Sequence, residues 1–295
     1  MPLRKHINAL KDIEPTKVFA FKALLVKRLA KPLAAIGIYS AVLCFLQLEA
    51  GYIEFTLGIE ISGLMSAALG ILLVFRNRTA YDRWWEGRII WGMLVNTSRN
   101  FAIQVNNYVP SGNSAIKEEF AELISAFPYA LKEHLRSGVK MDQISFLNEA
   151  NYASVEKRDH KPNAIINIMV RNLRSLLENG LISDYQFNYL VRNTEKLTDI
   201  MGMCERIRAT PIPVSHNFLL KSFLFIYYVL LPPGLVYDLG WYTIPVAVMV
   251  TYLLNSMVLI DEDIEEPFGN DFNDLPTDRI SDNISKNVGE ILLRG

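Results

Sequence analysis

The sequence predicts an all-α membrane protein, with four transmembrane helices per subunit and a large helical cytoplasmic domain between the second and third. Three observations carry that reading. Four apolar stretches, near 32–48, 56–75, 217–237 and 243–260, approach the roughly 20 residues that cross a ~30 Å hydrocarbon core at 1.5 Å per residue. The stretch between the second and third is charged, with its apolar residues mostly at helical spacing. The whole chain of 295 residues is 51% hydrophobic but 21% charged, more charge than a wholly embedded chain carries. The net charge of −1 gives no basic field for nucleic acid.

Residues 1–31 form a cytoplasmic or interfacial N-terminal segment rich in lysine and arginine. Its VFAFKALLVKRLAKPL stretch spaces apolar residues helically with lysines between them, so it fits an interfacial helix or a solvated basic arm. The first residues lack the apolar core of a signal peptide, which leaves insertion to the membrane helices. Residues 32–75 hold transmembrane helices 1 and 2, joined by EAGYIEF. The basic side before helix 1 and the acidic loop after it, with Glu49 and Glu54, place the N-terminus inside.

The second apolar run changes at Arg76 into RNRTAYDRWWEGR, with nothing to break a helix at the junction. One long helix should therefore cross the membrane and continue into water, with Arg76, Arg78, Trp84 and Trp85 near the interface. Its apolar half is rich in small residues, which let membrane helices approach closely. Gly63, Ala67, Ile71 and Phe75 are spaced by four and form one stripe. Glu60 lies near that stripe at the outer end, and a carboxylate there needs protein or water beside it. Both a tightly packed bundle and a pore-lining helix accommodate these residues. The alternating charges of RNRTAYDRWWEGR suit ion pairs within and between subunits.

Residues 76–216 form the cytoplasmic helical domain, with helices expected over 77–109, 114–137, 163–179 and 183–208. VPSGNSA is a turn, 140–163 a connector with short helical pieces, and Asn179-Gly180 a helix stop. Residues 217–260 hold transmembrane helices 3 and 4. Pro232-Pro233-Gly234 should kink or end the regular part of helix 3, and helix 4 should stop at DEDIEE. Residues 261–295 are the cytoplasmic C-terminal segment. Four crossings give a multi-pass protein of the cell membrane with both termini cytoplasmic.

Little in the chain suits an enzyme. Its four histidines are scattered without HExxH spacing, and no P-loop, nucleophile elbow or dinucleotide fingerprint occurs. Cys44 and Cys204 fall in different compartments, which argues against a disulfide, and no zinc spacing exists. DEDIEEPFGNDFND could hold a hard cation, or be a solvated acidic turn.

FRNRTAYDRWWEGRIIWG, Phe75 to Gly92, resembles the signature that follows the second membrane helix in the bestrophin family of ion channels. CERIRATPIP, from Cys204, resembles the family's entry into its third membrane helix, and EPFGNDFND, from Glu266, the stretch after its last. The three lie in family order across most of the chain, and the bacterial branch is the better match. The resemblance implies a homopentamer around one axial pore, whose neck each subunit's second helix lines. In bacterial members three side chains spaced by four project there, matching Ala67, Ile71 and Phe75. The family often has a larger residue at the position of Ala67, so the neck should be wider there, and such constrictions gate by excluding water.

A second constriction is implied near the start of the 183–208 helix, at Gln186 or Asn188. Both are polar where the family is usually aliphatic. The calcium clasp of eukaryotic members implies a bound cation near Asp271 and Asp274. Asn270 and Asn273 thin its acidic cluster here. Bacterial relatives are associated with sodium-type permeation and eukaryotic ones with chloride. A ring of Glu60 at the outer pore mouth favours monovalent cations, partly charged because like charges raise one another's pKa. An anion channel and a non-conducting membrane scaffold remain the alternatives.

Overall fold

The computed structural model describes residues 15–50, 59–110, 112–136 and 138–294, with side chains from residue 26 onward in the first stretch and from 61 onward in the second. Residues 1–14, Glu54 and the side chain of Glu60 lie outside it. No strand occurs among the described residues. The helices are α1 (Pro15–Cys44), α2 (Ile59–Tyr108), α3 (Ser114–Arg136), α4 (Glu149–Glu156), α5 (Lys161–Glu178), α6 (Asp184–Ala209), α7 (Val214–Leu239), α8 (Thr243–Glu265) and α9 (Thr277–Leu293). Among the described residues, three segments are long and apolar enough to cross a membrane: Val26–Glu49, Ile61–Tyr108 and Val214–Glu265. The last holds both α7 and α8, separated by the 3₁₀ turn Gly240–Tyr242, where Gly240 takes a φ of 52°.

The chain divides into two compact units. The first comprises residues up to Asp82, then Ile212–Glu265 and Asp271–Asn273. Here α1 packs on α8 and α7, and α7 on α8. Its core joins Ile36 of α1, Leu69 and Leu73 of α2, Leu220, Leu224, Tyr227 and Leu231 of α7, and Ala247 and Val258 of α8. The basic segment and the first apolar run form one helix through Pro32, which then widens into a π-helical turn at Phe45–Glu49. Two expectations are corrected. Of the kink or end expected at Pro232 and Pro233, the end does not occur: α7 runs to Leu239 with both prolines buried. In a membrane helix, packed neighbours compensate the backbone groups a proline frees. Nor does α8 stop at the acidic run. It continues to Glu265, because Asp261 and Glu265 are buried on one face of its last turns.

The second unit comprises Arg83–Pro211, Glu266–Asn270 and Asp274–Gly295. Apolar faces of α3, α5 and α9 make one core with the C-terminal half of α2, in which Trp91, Phe101, Phe120 and Phe127 are fully buried. Burying each such side chain contributes roughly 1.5–3 kcal/mol. Phe101 meets Phe120 edge-on with centroids 6.0 Å apart. The helices predicted at 77–109, 114–137, 163–179 and 183–208 are all present, and the connector carries the 3₁₀ turn Met141–Ile144 and α4. Gly180 ends α5 as expected, with a φ of 67° that lets the Leu181 N–H reach the Leu176 carbonyl at 2.9 Å.

Candidate functional site

Helix α2 is 50 residues long, about 75 Å at 1.5 Å per residue, and unbroken. Its membrane half has two unlike faces. Ser62, Leu69, Leu73 and Arg76 point into the subunit and are buried. Gly63, Ala67, Ile71 and Phe75 point away from it, with Ile71 59% and Phe75 60% exposed. A side chain added at Gly63 or Gly70 would meet nothing within 4 Å. Gly63 and Gly70 therefore have no close neighbour among the described residues, although their type favours close helix approach. Ser66 ties the inner face down, donating to the Ser62 carbonyl at 2.7 Å and meeting the Tyr227 hydroxyl at 2.8 Å.

Arg76, directly after Phe75, is 1% exposed. It donates to the Asn217 side chain and lies 3.8 Å from both the Asp261 and the Glu265 carboxylates. Asn77 donates to Asp261 at 2.6 Å, and the Ile212 N–H donates to Glu265 at 3.0 Å. A guanidinium out of water requires such counter-charges, and so do the two carboxylates. At Arg76, α2 is thereby pinned to α7 and α8 while the face beside it stays open. Asp261 and Glu265 were absent from the sequence-derived site. Their signal was an i, i+4 acidic pair continuing the register of an apolar helix.

Arg83 and Glu86 of RNRTAYDRWWEGR are also paired. Arg83 donates to the carbonyls of Thr210 and, at 2.8 Å, Ile207, capping the C-terminus of α6. Glu86 accepts from Arg206 at 2.6 Å. Gly87 is required where it stands: a Cβ there would lie 3.2 Å from Phe268 and Pro267 and 3.3 Å from Leu275.

Gln186 occupies the third position of α6, where its carboxamide accepts from the Ser183 N–H at 2.8 Å in a capping box. Asn188 is exposed. Asp271 is exposed and Asp274 half-buried, with its carboxylate 2.6 Å from where a Cβ on Gly269 would sit. The Phe268 and Gly269 carbonyls accept from Nε of Arg136 at 3.2 Å each, and Asp263 accepts from Asn273 at 2.5 Å. Calcium wants six to eight such oxygens. Two of the loop's carbonyls already face a guanidinium, an arrangement that does not fit a calcium loop.

Arg136 belongs to a further ion cluster of the second unit. Asp278 accepts from Arg136 at 3.0 Å and from the buried Lys132 at 2.5 Å, and Lys132 lies 3.5 Å from Glu133. Partial burial of Asp278 opposes ionisation, but the bonds to Lys132 and Arg136 outweigh it and hold its carboxyl below the usual range. Burial pushes the Cys204 thiol up to about 12, so it is inert at neutral pH. His134 is lowered, first by burial and then by its neighbour His160.

A long helix with one face anchored by buried charges and the other apolar and unpacked is the mark of an α-helical membrane protein that assembles or conducts. The comparisons narrow this. Residues 8–290 match the model of the bacterial/fungal bestrophin protein family. The chain is 35% identical over 246 residues to the voltage-dependent anion channel-forming protein sll1024 of Synechocystis, covering 82% of this chain and 80% of that one. It is 30% identical over 286 residues to mll4386 of Mesorhizobium japonicum, which bears the same description, covering 94% and 90%. A crystal structure of a bacterial bestrophin homologue from Klebsiella pneumoniae superposes with a TM-score of 0.83 at 26% identity, over 88% of this chain and 97% of that one. The chain belongs to the bestrophin family: it is a membrane-protein ion channel and not an enzyme.

Proposed function

We propose that this chain forms a homopentameric anion channel, with α2 of each copy innermost and Ala67, Ile71 and Phe75 lining a dry neck. The observation that carries the reading is the exposed apolar stripe of α2 set against its charge-anchored reverse face. The open space beside Gly63 and Gly70 supports close approach of further copies. Sodium-type permeation, expected from Glu60, loses its support: the relatives in Synechocystis and Mesorhizobium are named for anion channels. The turn at Gly240–Tyr242 supports counting α7 and α8 as two crossings, four in all, with both termini and residues 76–216 in the cytoplasm. Asn188, exposed near the start of α6, is the better candidate for a cytosolic constriction than Gln186, whose carboxamide oxygen is held by the cap. The loop at 266–275 is held by Arg136 in place of a metal ion.

The deciding experiment is a bilayer recording of the purified protein under a NaCl gradient. Anion permeation sets the reversal potential toward the chloride equilibrium value. A reversal toward the sodium value overturns the selectivity, and silence from well-assembled protein overturns the channel reading.

A further inference from the structure

Three side chains far apart in sequence converge in the second unit. His134 lies in the last turn of α3, His160 caps the N-terminus of α5, and Glu205 lies in the last turns of α6. One Glu205 carboxylate oxygen stands 2.9 Å from Nε2 of His134 and 2.9 Å from Nε2 of His160. The imidazole rings are 4.4 Å apart, and all three donor atoms lie within 4.8 Å of one another. Two of the chain's four histidines are gathered here, so the coincidence is not one of abundance. Arg208, three residues after Glu205, donates to the His134 carbonyl at 2.6 Å and fixes that histidine's backbone against α6.

The chemistry of this donor set is specific. Two imidazole nitrogens and one carboxylate oxygen suit zinc-class ions, which leave a fourth tetrahedral corner for water. Donors around such an ion, with bonds of 2.0–2.2 Å, sit about 3.3 Å apart. The two 2.9 Å oxygen–nitrogen spacings therefore need to open by a few tenths of an ångström, and the two imidazole nitrogens, within 4.8 Å of each other, must come to the same separation. The three side chains keep 26–35% of their surface exposed, which gives an ion a way in. We propose that His134, His160 and Glu205 form a binding site for one divalent transition-metal ion of the zinc class, with water as the fourth ligand.

Without metal, Nδ1 of His160 accepts a long 3.4 Å bond from the Asn163 N–H, which leaves its proton on Nε2 facing Glu205. Metal binding through Nε2 requires the other tautomer. The bond to Asn163 is then given up.

The test uses the full-length, tag-free protein in detergent, stripped with chelator and dialysed against micromolar Zn²⁺. Metal analysis should find one zinc per chain, and Co²⁺ should give the strong visible absorption of a tetrahedral site. His134→Gln, Glu205→Gln and His160→Asn, the last keeping a capping side chain, should each lose that equivalent while eluting at the wild-type size. Should a single change disturb assembly, the cobalt spectrum of the wild type still decides. Sub-stoichiometric zinc, an octahedral cobalt spectrum, or variants that keep their zinc would overturn the site.

Discussion

Arg76 shows how much depends on a single side chain. Its guanidinium is buried with Asp261 and Glu265, so removing it strands two carboxylates away from water. Breaking a buried pair in this way costs about 3–5 kcal/mol. We predict that Arg76→Ala lowers the thermal midpoint in detergent by several degrees, whereas Arg78→Ala, whose pair with Asp82 is exposed, moves it little. Equal shifts would show that the Arg76 network is not what holds α2 there. His134 makes a prediction in pH. Its folded pKa lies below the ordinary ~6.5, so the unfolded chain binds more protons in that interval. The stability this contributes is present above about pH 6.5 and is lost as pH falls through the folded value. With chelator present, His134→Gln should flatten the fall in midpoint between pH 7 and 5. An unchanged slope would assign it elsewhere.

At the scale of the element, the helices of the second unit were legible because apolar faces at a 3.6-residue period end at strong punctuation such as Asn179-Gly180. The stripe through Ala67, Ile71 and Phe75 was legible for the same reason, as spacing on one helix. What escaped was everything that depends on a distant partner. The continuation of α8 through Asp261 and Glu265 had one faint signal, their i, i+4 spacing in the helix register, and its meaning depends on the distant Arg76 beside them. The persistence of α7 through Pro232 and Pro233 likewise depends on neighbours that bury them. His134, His160 and Glu205 follow no motif spacing, since three separate elements bring them together. Gly87 gives an element-scale prediction. Alanine is the better helix former by up to 1 kcal/mol. Its methyl would nevertheless crowd Phe268, Pro267 and Leu275, all of which pack closely there. Gly87→Ala should therefore destabilise the protein, and a raised thermal midpoint would mean the Pro267–Leu275 loop gives way freely.

For the whole molecule, the proposed assembly predicts a mass. Light scattering in mild detergent should give five chains, and a monodisperse monomer would contradict the proposal. The neck predicts a rate. Ile71 and Phe75 should impose the barrier to ions by excluding water, so the Ile71→Ala, Phe75→Ala double variant should conduct more per channel than wild type. Unchanged flux with the oligomer intact would place the barrier elsewhere. Glu60→Gln then separates the ions: an anion channel should keep its reversal potential or move further toward chloride.

The buried network at Arg76 also bears on how the chain is made. Asp261 emerges from the ribosome 184 residues after Asn77. At 5–20 residues per second that is a wait of roughly ten to forty seconds. For that interval the nascent protein carries a guanidinium at the membrane edge whose counter-ions have not been synthesised. A product terminated before Asp261 would keep that uncompensated charge permanently, however well its first two helices had inserted. The counter-charges for Arg76 exist only once α8 has been made, so this network is completed late in synthesis.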